Sequence, residues 1–271
     1  MSRLDSTFAR LKAGRRTGLV TYVTAGDPDL QSTSAILRAL DGAGADVLEI
    51  GVPFSDPLAD GPVIQRASER ALRGGTTLPA VLRLLAEVRA HLAAPVVLFT
   101  YVNPVVRMGV RRFALDAAAA GADGVLALDL PVEEADDLRA ALDDAGLDMI
   151  FLVSPTSTDE RIRRAGALGR GFLYAVSRLG VTGARAQLAD GARAVVDRVR
   201  AATALPVAVG FGVSRPEHVR EIGEFAEAAV VGSALVSVIE ASAGQSDLPG
   251  RVAERVRWLK GRSEPSSEEC G

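Results

Sequence analysis

Short apolar runs alternate with longer amphipathic segments along almost the whole chain. Eight of these runs are rich in Val, Leu and Ile and are apolar throughout instead of alternating with polar residues, which is typical of strands covered on both faces. The pattern therefore predicts eight buried strands, at residues 18–24, 46–50, 95–101, 123–129, 148–153, 171–177, 206–211 and 228–233.

Helical segments separate the predicted strands. The segment LQSTSAILRALDGAGA carries Ile36, Leu37 and Leu40 on one helical face, and glycines end it. The joints GAGADVLEI, AAGADGVLAL and DAGLDMIFL each run from a helix end through Gly and Asp into a strand, which is a weak internal repeat. Strands that alternate with helices predict a parallel sheet.

Eight strand–helix units in one chain of 271 residues match the (β/α)8 TIM barrel in count and size. We expect one domain over residues 1–262, an extra N-terminal helix, a short phosphate-binding helix after the eighth strand, and a disordered tail over 263–271. The alternative is a doubly wound open sheet, but the turn TAGDPD after the first strand lacks a glycine-rich nucleotide fingerprint.

Composition excludes several classes of protein. The net charge is −3, and no basic stripe suggests nucleic acid as a partner. No apolar run reaches the roughly 18–20 residues that a membrane span needs, and the N-terminus lacks an apolar signal core. We expect a cytoplasmic protein that acts on a small molecule.

The inventory of reactive side chains is equally restrictive. Lys12 and Lys260 lie away from predicted strand ends, which disfavours a Schiff base. His91 and His218 fall on predicted helices, and the one cysteine, Cys270, lies in the polar tail, so a metal site or a Ser-His-Asp triad is not expected. Carboxylates and tyrosines remain as acid–base groups.

Two glycine-containing strand ends predict a phosphate site. TIM barrels commonly bind phosphate after strands seven and eight, beside the N-terminus of a short helix. GFGVS at 210–214 and the start of ALVSVIEAS after Gly232 and Ser233 place backbone N–H groups there. The alternative is that these glycines only turn the chain. The glycine-containing loop 178–189 is long enough to be a lid.

The stretch LEIGVPFSDPLADGP, at 48–62, holds three acids with different expectations. Glu49 lies in an apolar strand, where burial raises a carboxyl pKa and suits proton transfer, although it could instead pair with an arginine. Asp60 precedes Gly61 and Pro62 and could be a helix N-cap. Asp56 has the setting of a turn acid. These residues predict a barrel enzyme for a phosphorylated substrate and leave its reaction open.

Longer motifs resemble one family. LEIGVPFSDPLADGPVIQRASERAL resembles the signature of the tryptophan synthase α subunit family, and the shorter motifs YVTAGDPD, TYVNP, DLPVEE, SRLGVTGAR, GFGVS and VGSALV follow in that family's order over nearly the whole chain. The resemblance implies a lyase of tryptophan biosynthesis, of the carbon–carbon/carbon–oxygen type. It would cleave indole-3-glycerol phosphate to indole and glyceraldehyde 3-phosphate by a retro-aldol reaction.

The same resemblance assigns roles to residues. Glu49 falls on the family's catalytic glutamate, Asp60 on its catalytic aspartate, and Tyr174 on its active-site tyrosine. Thr182 falls on the lid threonine that hydrogen-bonds this aspartate in the closed state. The resemblance places the phosphate at Gly183, Gly212, Gly232 and Ser233, and the walls of the indole pocket at Tyr22, Phe99, Leu126 and Phe211.

Members of the family work with a β subunit that carries pyridoxal phosphate, in an αββα heterotetramer. The resemblance therefore implies such a partner and no cofactor or metal in this chain. The partner-facing residues would be Pro53, Asp56, Asn103 and Pro131, each of which could equally be ordinary loop chemistry. Two alternatives stay open: a standalone lyase that releases free indole, and an idle barrel that only activates a β partner, which the presence of both Glu49 and Asp60 disfavours.

Overall fold

Eight parallel strands form the centre of the computed structural model, which describes residues 1–176, 185–210 and 212–262, with the backbone alone for 185–190. All eight predicted strands are present. Two of them, 18–24 and 148–153, have the predicted ends, and the ends of the others differ by at most two residues. The strands are β1 Gly18–Thr24, β2 Val47–Gly51, β3 Val96–Thr100, β4 Gly124–Ala127, β5 Asp148–Val153, β6 Leu173–Val176, β7 Val207–Gly210 and β8 Ala228–Val231.

The sheet is a closed barrel. Each strand pairs in parallel with its neighbour in the chain, and β8 pairs with β1 through the register Leu19↔Ala229 and Val20↔Val230. The predicted (β/α)8 barrel is thus confirmed. The open doubly wound sheet is wrong, because pairing of β1 with β8 leaves no free sheet edge.

Helices cover the outside of the barrel between successive strands. Both expected additions, an N-terminal helix and a short helix after β8, are present as α1 and α11. The helices are α1 Arg3–Ala13, α2 Leu30–Gly42, α3 Pro62–Arg73, α4 Leu78–Val88, α5 Val102–Met108, α6 Val110–Ala119, α7 Asp136–Asp144, α8 Asp159–Leu168, α9 Arg185–Ala202, α10 Pro216–Gly223, α11 Ser233–Ala241 and α12 Leu248–Leu259, with 3₁₀ turns at Arg89–His91 and Val132–Glu134.

Alternation along each strand divides the core into two layers. In β2, Leu48 and Ile50 belong to the outer core beneath the helices, whereas Val47 belongs to the core inside the barrel. Successive strand residues point to opposite faces, so Glu49 points inward with Val47. Both faces of every strand are covered, which explains why the strands are continuously apolar in the sequence.

Helix α1 closes the barrel at the amino ends of the strands. Its apolar side chains Leu4, Phe8 and Leu11 join the inner core, and the ring of Phe8 lies 5.3 Å from that of Phe172. Because this end is plugged, the interior of the barrel opens at the carboxyl ends of the strands, where TIM barrels hold their active sites.

The repeated Gly–Asp joints have a physical explanation. Gly44, Gly121 and Gly146 have φ angles of +94°, +87° and +73°, which L side chains rarely adopt. The aspartate that follows can accept a hydrogen bond from a backbone N–H at the start of the neighbouring strand. Asp46 accepts the N–H of Leu19 at 3.0 Å. Asp123 likewise accepts the N–H of Val96. The repeat therefore ends a helix and caps the start of the preceding strand.

Within the described part of the chain, no helix has both the length and the apolar character to cross a membrane. The expected tail 263–271 lies outside the described residues.

Candidate active site

A cleft of about 530 Å³ lies at the carboxyl ends of the strands. Asp60 is the only residue with a formal charge among those that line it, within the described chain. The lining comes from the loop after β2, the first turn of α3, the ends of β3 to β8 and the start of α11. Its residues are Ala59, Asp60, Gly61, Pro62, Val63, Ile64, Phe99, Leu128, Leu152, Tyr174, Val176, Gly210, Gly212, Val213, Val230, Gly232 and Ser233.

Glu49 lies inside the barrel, in the middle of β2. Its side chain is fully buried, and neither carboxylate oxygen has a hydrogen-bond partner among the described residues. Burial raises the pKa of Glu49 to about 8, because the charged form loses its hydration. Among the described residues, no arginine pairs with Glu49. An unpaired buried carboxyl group that is mostly protonated near neutral pH is suited to giving and taking a proton.

Asp60 lies at the end of the loop that follows β2. Burial raises the pKa of Asp60 to about 6, and a hydrogen bond from Tyr101 opposes this rise. The Tyr101 hydroxyl donates to Asp60 Oδ2 at 3.0 Å. The pKa difference from Glu49 leaves Asp60 mostly ionised at neutral pH while Glu49 is mostly protonated, so the two acids suit opposite roles.

Asp60 does not cap a helix. The N-cap of α3 is Gly61, with no side-chain capping bond, and the Asp60 carboxylate turns to Tyr101 instead. The local interpretation of Asp60 as an N-cap is therefore wrong. Pro62 at the first helical position already lacks an N–H, so this helix start leaves one donor fewer to satisfy.

Tyr101 is a site residue that sequence reasoning missed. Its hydroxyl also accepts the N–H of Ala59 at 3.2 Å, and its ring stacks on Phe54 with centroids 4.9 Å apart. It thus holds the acid-bearing loop at two points besides the stack. A signal was present, because Tyr101 directly follows the third strand, at the barrel edge where Asp60 was expected.

Two tyrosines pack over glycines at the mouth of the barrel. A Cβ at Gly210 would lie 2.3 Å from the Tyr174 hydroxyl oxygen, and one at Gly51 would lie 2.2 Å from that of Tyr22. Burial raises the pKa of Tyr174 well above its usual value, and the nearby charge of Glu49 adds to the rise. Tyr174 is therefore neutral, close to Glu49, and part of the cleft wall.

Three of the four residues expected to bind the phosphate lie in the described part of the chain. Gly212, Gly232 and Ser233 line the cleft together, and α11 begins at Ser233. Gly212 has a φ of +58°, which favours glycine. Since none of the described lining residues is a cation, an anion here would be held by backbone N–H groups and the helix dipole. Gly183, Thr182 and the predicted lid up to residue 184 lie outside the described residues.

The four expected pocket walls have different positions. Phe99 lines the cleft, and Phe211 lies outside the described residues. Tyr22 is buried behind the wall, with its ring 5.2 Å from that of Phe99. Leu126 is fully buried inside the barrel and does not line the cleft, whereas Leu128, two residues further along the chain, does. The predicted contact of Leu126 with the indole stays a prediction. Ile64 and Leu152 were also missed.

The expected partner-facing residues are not alike in exposure. Asp56, Asn103 and Pro131 are exposed, whereas Pro53 is buried and leaves little surface for another chain. Two exposed apolar side chains, Leu58 and Val106, were missed and lie on the same two segments as Asp56 and Asn103.

Lys260 and the histidines lie away from the cleft. Lys260 is bound to Asp46 at 2.8 Å and to the carbonyl of Gly44, at the amino end of β2. The Ser214 N–H donates to Nδ1 of His218 at 3.3 Å, on α10. The described residues contain no group of three or more His, Cys, Asp or Glu side chains placed to hold a metal ion.

Comparison with known proteins gives a consistent result. The family model described as "Tryptophan synthase alpha chain" matches residues 8–262. The tryptophan synthase alpha chain of Geotalea daltonii is 49% identical over 260 residues, which cover 96% of this chain and 98% of that one.

Solved structures agree with the sequence relatives. Tryptophan synthase subunit alpha from Legionella pneumophila superposes with a TM-score of 0.89 at 38% identity, covering 97% of this chain and 98% of that one. A chain of the tryptophan synthase a2b2 complex from Pyrococcus furiosus superposes with a TM-score of 0.85 at 41% identity, covering 90% and 98%.

Proposed function

The chain belongs to the family of tryptophan synthase alpha chains, and we propose that it cleaves indole-3-glycerol phosphate into indole and glyceraldehyde 3-phosphate. Family membership makes it a lyase-type enzyme. The bond to be broken is the carbon–carbon bond between C3 of the indole and the first carbon of the glycerol side chain. The reaction is the reverse of an aldol addition.

The observation that carries the proposal is the buried carboxyl group of Glu49, which faces the barrel interior and has no hydrogen-bond partner among the described residues. The cleft at the carboxyl ends of the same strands holds a second acid, Asp60. Retro-aldol cleavage needs a group that is protonated at the start and a base afterwards. A carboxyl group with a pKa of about 8 supplies both states near neutral pH.

The proton movements balance as follows. Glu49 gives its proton to C3, which converts the indole ring into a cationic indolenine. The ionised carboxylate of Asp60 accepts the ring N–H and stabilises the positive charge that develops there. The Glu49 carboxylate then takes the proton of the adjacent hydroxyl group as the carbon–carbon bond breaks and its electrons return to the ring. Indole and the aldehyde leave, and Glu49 is again protonated.

Tyr174 supports these transfers from the cleft wall. It lies near enough to Glu49 for the charge of that residue to raise the tyrosine pKa. A neutral phenol beside the reacting carbon can donate to the substrate hydroxyl or to the emerging aldehyde.

Substrate orientation follows from the two ends of the cleft. Asp60 and the first turn of α3 would receive the indole, and the start of α11 with Gly212 would receive the phosphate. Phe99, Ile64 and Leu128 supply apolar surface for the ring. Gly183 and Thr182 are proposed to complete the phosphate site and the lid.

The partner is a tryptophan synthase β subunit in an αββα assembly, as for the Pyrococcus furiosus relative found in an a2b2 complex. We propose that this chain itself needs no cofactor and that pyridoxal phosphate belongs to the β subunit. The exposed segments with Asp56 and Leu58, and with Asn103 and Val106, form the proposed docking surface.

The test is indole release from indole-3-glycerol phosphate by the purified chain, alone and with a β subunit. We expect slow release alone and a large increase with the partner. Fast release alone would instead support a standalone lyase. No release under either condition would overturn the proposal and favour an idle activator.

Glu49→Gln tests the assigned acid. It should abolish indole release and leave binding of glycerol 3-phosphate within about twofold, because the phosphate end is untouched. Glu87→Gln, on the exposed face of α4, is the matched control and should match wild type. If Glu49→Gln loses glycerol 3-phosphate binding as well, Glu49 is a structural residue.

A further inference from the structure

Four charged residues join the two helices that begin at the cleft. Arg70 on α3 donates two parallel hydrogen bonds to Asp27, at 2.8 and 2.9 Å, and a third at 2.7 Å to Glu240 on α11. Arg66, one turn earlier on α3, donates two more to Glu240, at 3.0 and 2.9 Å. Asp27, Arg66, Arg70 and Glu240 are called the clamp below.

The clamp is more than a surface ion pair. Asp27 is only 2% exposed, and a buried carboxylate is tolerated only when it is paired and hydrogen-bonded. Paired bidentate bonds from arginine fix direction as well as distance, since the guanidinium is planar. Asp27 lies in the loop after β1, so the clamp also ties both helices to the barrel.

Glu240 has an unusual location for an acid. It lies in the last turn of α11, where the negative end of the helix dipole disfavours a carboxylate. Two arginines from α3 compensate for this, and they lower the pKa of Glu240. The position is therefore determined by contact with α3 and not by helix preference.

The helices also lie side by side at the cleft, where Gly232, the N-cap of α11, and Ile64, in the first turn of α3, both line the wall. A Cβ at Gly232 would lie 3.7 Å from the Ile64 side chain, so there is room for little more than a methyl group between them. The two helices thus lie close at two levels, at the cleft and at the clamp further along. With little room left at the cleft, the clamp bonds hold the spacing and the relative rotation of the two helices.

We propose that the clamp residues are positioning residues that set the separation between the Asp60 end and the phosphate end of the cleft. The inference rests on the proposed function, in which one substrate spans both ends. Asp60 and Gly61 directly precede α3, and Gly232 and Ser233 open α11, so a shift of one helix against the other changes that span. A displacement of about 1 Å from the reactive geometry can cost about a hundredfold in rate.

Ligands of two kinds separate positioning from simple damage. Glycerol 3-phosphate occupies one end only, whereas an analogue of the substrate that lacks the side-chain hydroxyls occupies both ends and cannot react. Loosening the clamp should weaken only the ligand that must fit both ends at once. A general structural defect would weaken both ligands.

Glu240→Gln and Arg66→Gln are the test variants, because both leave the buried Asp27–Arg70 pair intact. With the β subunit present, we expect kcat/KM for indole-3-glycerol phosphate and affinity for the two-ended analogue to fall about tenfold or more. Affinity for glycerol 3-phosphate should stay within about twofold. Glu69→Gln is the control: it breaks the exposed Arg73–Glu69 pair on the same helix and should behave as wild type.

Equal losses for the one-ended and two-ended ligands would overturn the proposal, as would wild-type kcat/KM in both test variants. If Glu240→Gln does not fold, Arg66→Gln, on the exposed rim of the clamp, decides alone. Failure of the proposed function is a different result, since wild type itself would then neither cleave the substrate nor bind the two-ended analogue.

Discussion

At the scale of single residues, two acids from one fifteen-residue stretch have different chemistry because their surroundings differ. Glu49 has no partner among the described residues, and burial raises its pKa to about 8. Asp60 is less buried and accepts a hydrogen bond from Tyr101, so its pKa rises only to about 6. Environment alone therefore separates the proton donor from the charge-stabilising carboxylate.

Tyr101→Phe tests the setting of Asp60. The variant keeps the ring on Phe54 and removes the hydroxyl that favours ionised Asp60, so the pKa of Asp60 should rise. We expect the acid limb of the kcat/KM profile to move to higher pH, with a loss of about tenfold at pH 6. The measurement is the rate of indole release between pH 5 and 9 with the β subunit.

Phe54→Leu is the companion variant for this experiment, since it removes the ring stack and keeps the hydroxyl. It should leave the acid limb in place. An unmoved acid limb in Tyr101→Phe would show that the hydrogen bond does not control the ionisation of Asp60.

At the scale of elements, neighbouring strands are matched so that a glycine accommodates a tyrosine hydroxyl. Val176 pairs with Gly210 and Tyr174 with Ala208, so the Tyr174 side chain reaches diagonally across β7 to Gly210. The same arrangement recurs between β1 and β2, where Tyr22 pairs with Glu49 and Thr24 with Gly51, so the Tyr22 side chain reaches diagonally to Gly51. Residues two positions apart in a strand lie on the same face, so Gly51 faces the barrel interior with Glu49, and Gly210 with Ala208. The two glycines leave the space that the tyrosines fill.

Gly210→Ala tests this match. Its Cβ would lie 2.3 Å from the Tyr174 hydroxyl oxygen, which is too close, so the tyrosine must move. We expect kcat/KM to fall by about tenfold to a hundredfold, as reacting groups leave their alignment. Activity is measured by indole release, and folding by thermal unfolding.

Gly191→Ala provides the comparison for Gly210→Ala. It lies in α9, and its Cβ would meet no atom within 4 Å. It should leave activity unchanged and stabilise the protein by up to about 1 kcal/mol, as expected for Gly to Ala in a helix. Wild-type activity in Gly210→Ala would contradict the assigned position of Tyr174.

At the scale of the whole molecule, the closed barrel holds the Glu49 carboxyl group inside its core without a partner among the described residues. The folded protein binds the Glu49 proton up to a pH of about 8, whereas the unfolded chain releases it near the usual pKa of 4.5. Stability from this group is therefore complete below pH 4.5 and is lost as the pH rises towards 8. The barrel thus carries a stability cost at neutral pH for the group proposed to do the chemistry.

The free energy of unfolding of Glu49→Gln should accordingly diverge from that of wild type with pH. Between about pH 5 and 8 the difference, variant minus wild type, should increase by about 1.4 kcal/mol per pH unit at most. Urea unfolding at pH 5, 6.5 and 8 measures it. Asp60 titrates in both proteins, so its contribution cancels from the difference. If the free energies of unfolding of variant and wild type instead change in parallel with pH, Glu49 is ionised in the folded state.

Much of the fold was readable from the sequence because strand burial on both faces leaves continuous apolar runs. That pattern, together with the family motifs, predicted the eight strands and the position of Glu49 in the second strand. It also predicted the N-terminal helix α1 and the short helix α11 after β8. Strand ends were less well placed, because apolar residues continue beyond the hydrogen-bonded ladder.

The sequence by itself determined the barrel and the residues placed at its carboxyl edge, since strand order, apolar runs and motif positions are local properties. Only the tertiary structure decided what those residues contact. It turned Asp60 away from the helix start and towards Tyr101, placed Leu128 in the cleft wall, and joined Arg70 to Asp27 and Glu240. These contacts link residues more than forty positions apart or depend on side-chain depth in the barrel. Pairing of neighbouring strands brings Asp60 to Tyr101 and Arg70 to Asp27, and closure of the sheet brings Arg70 to Glu240.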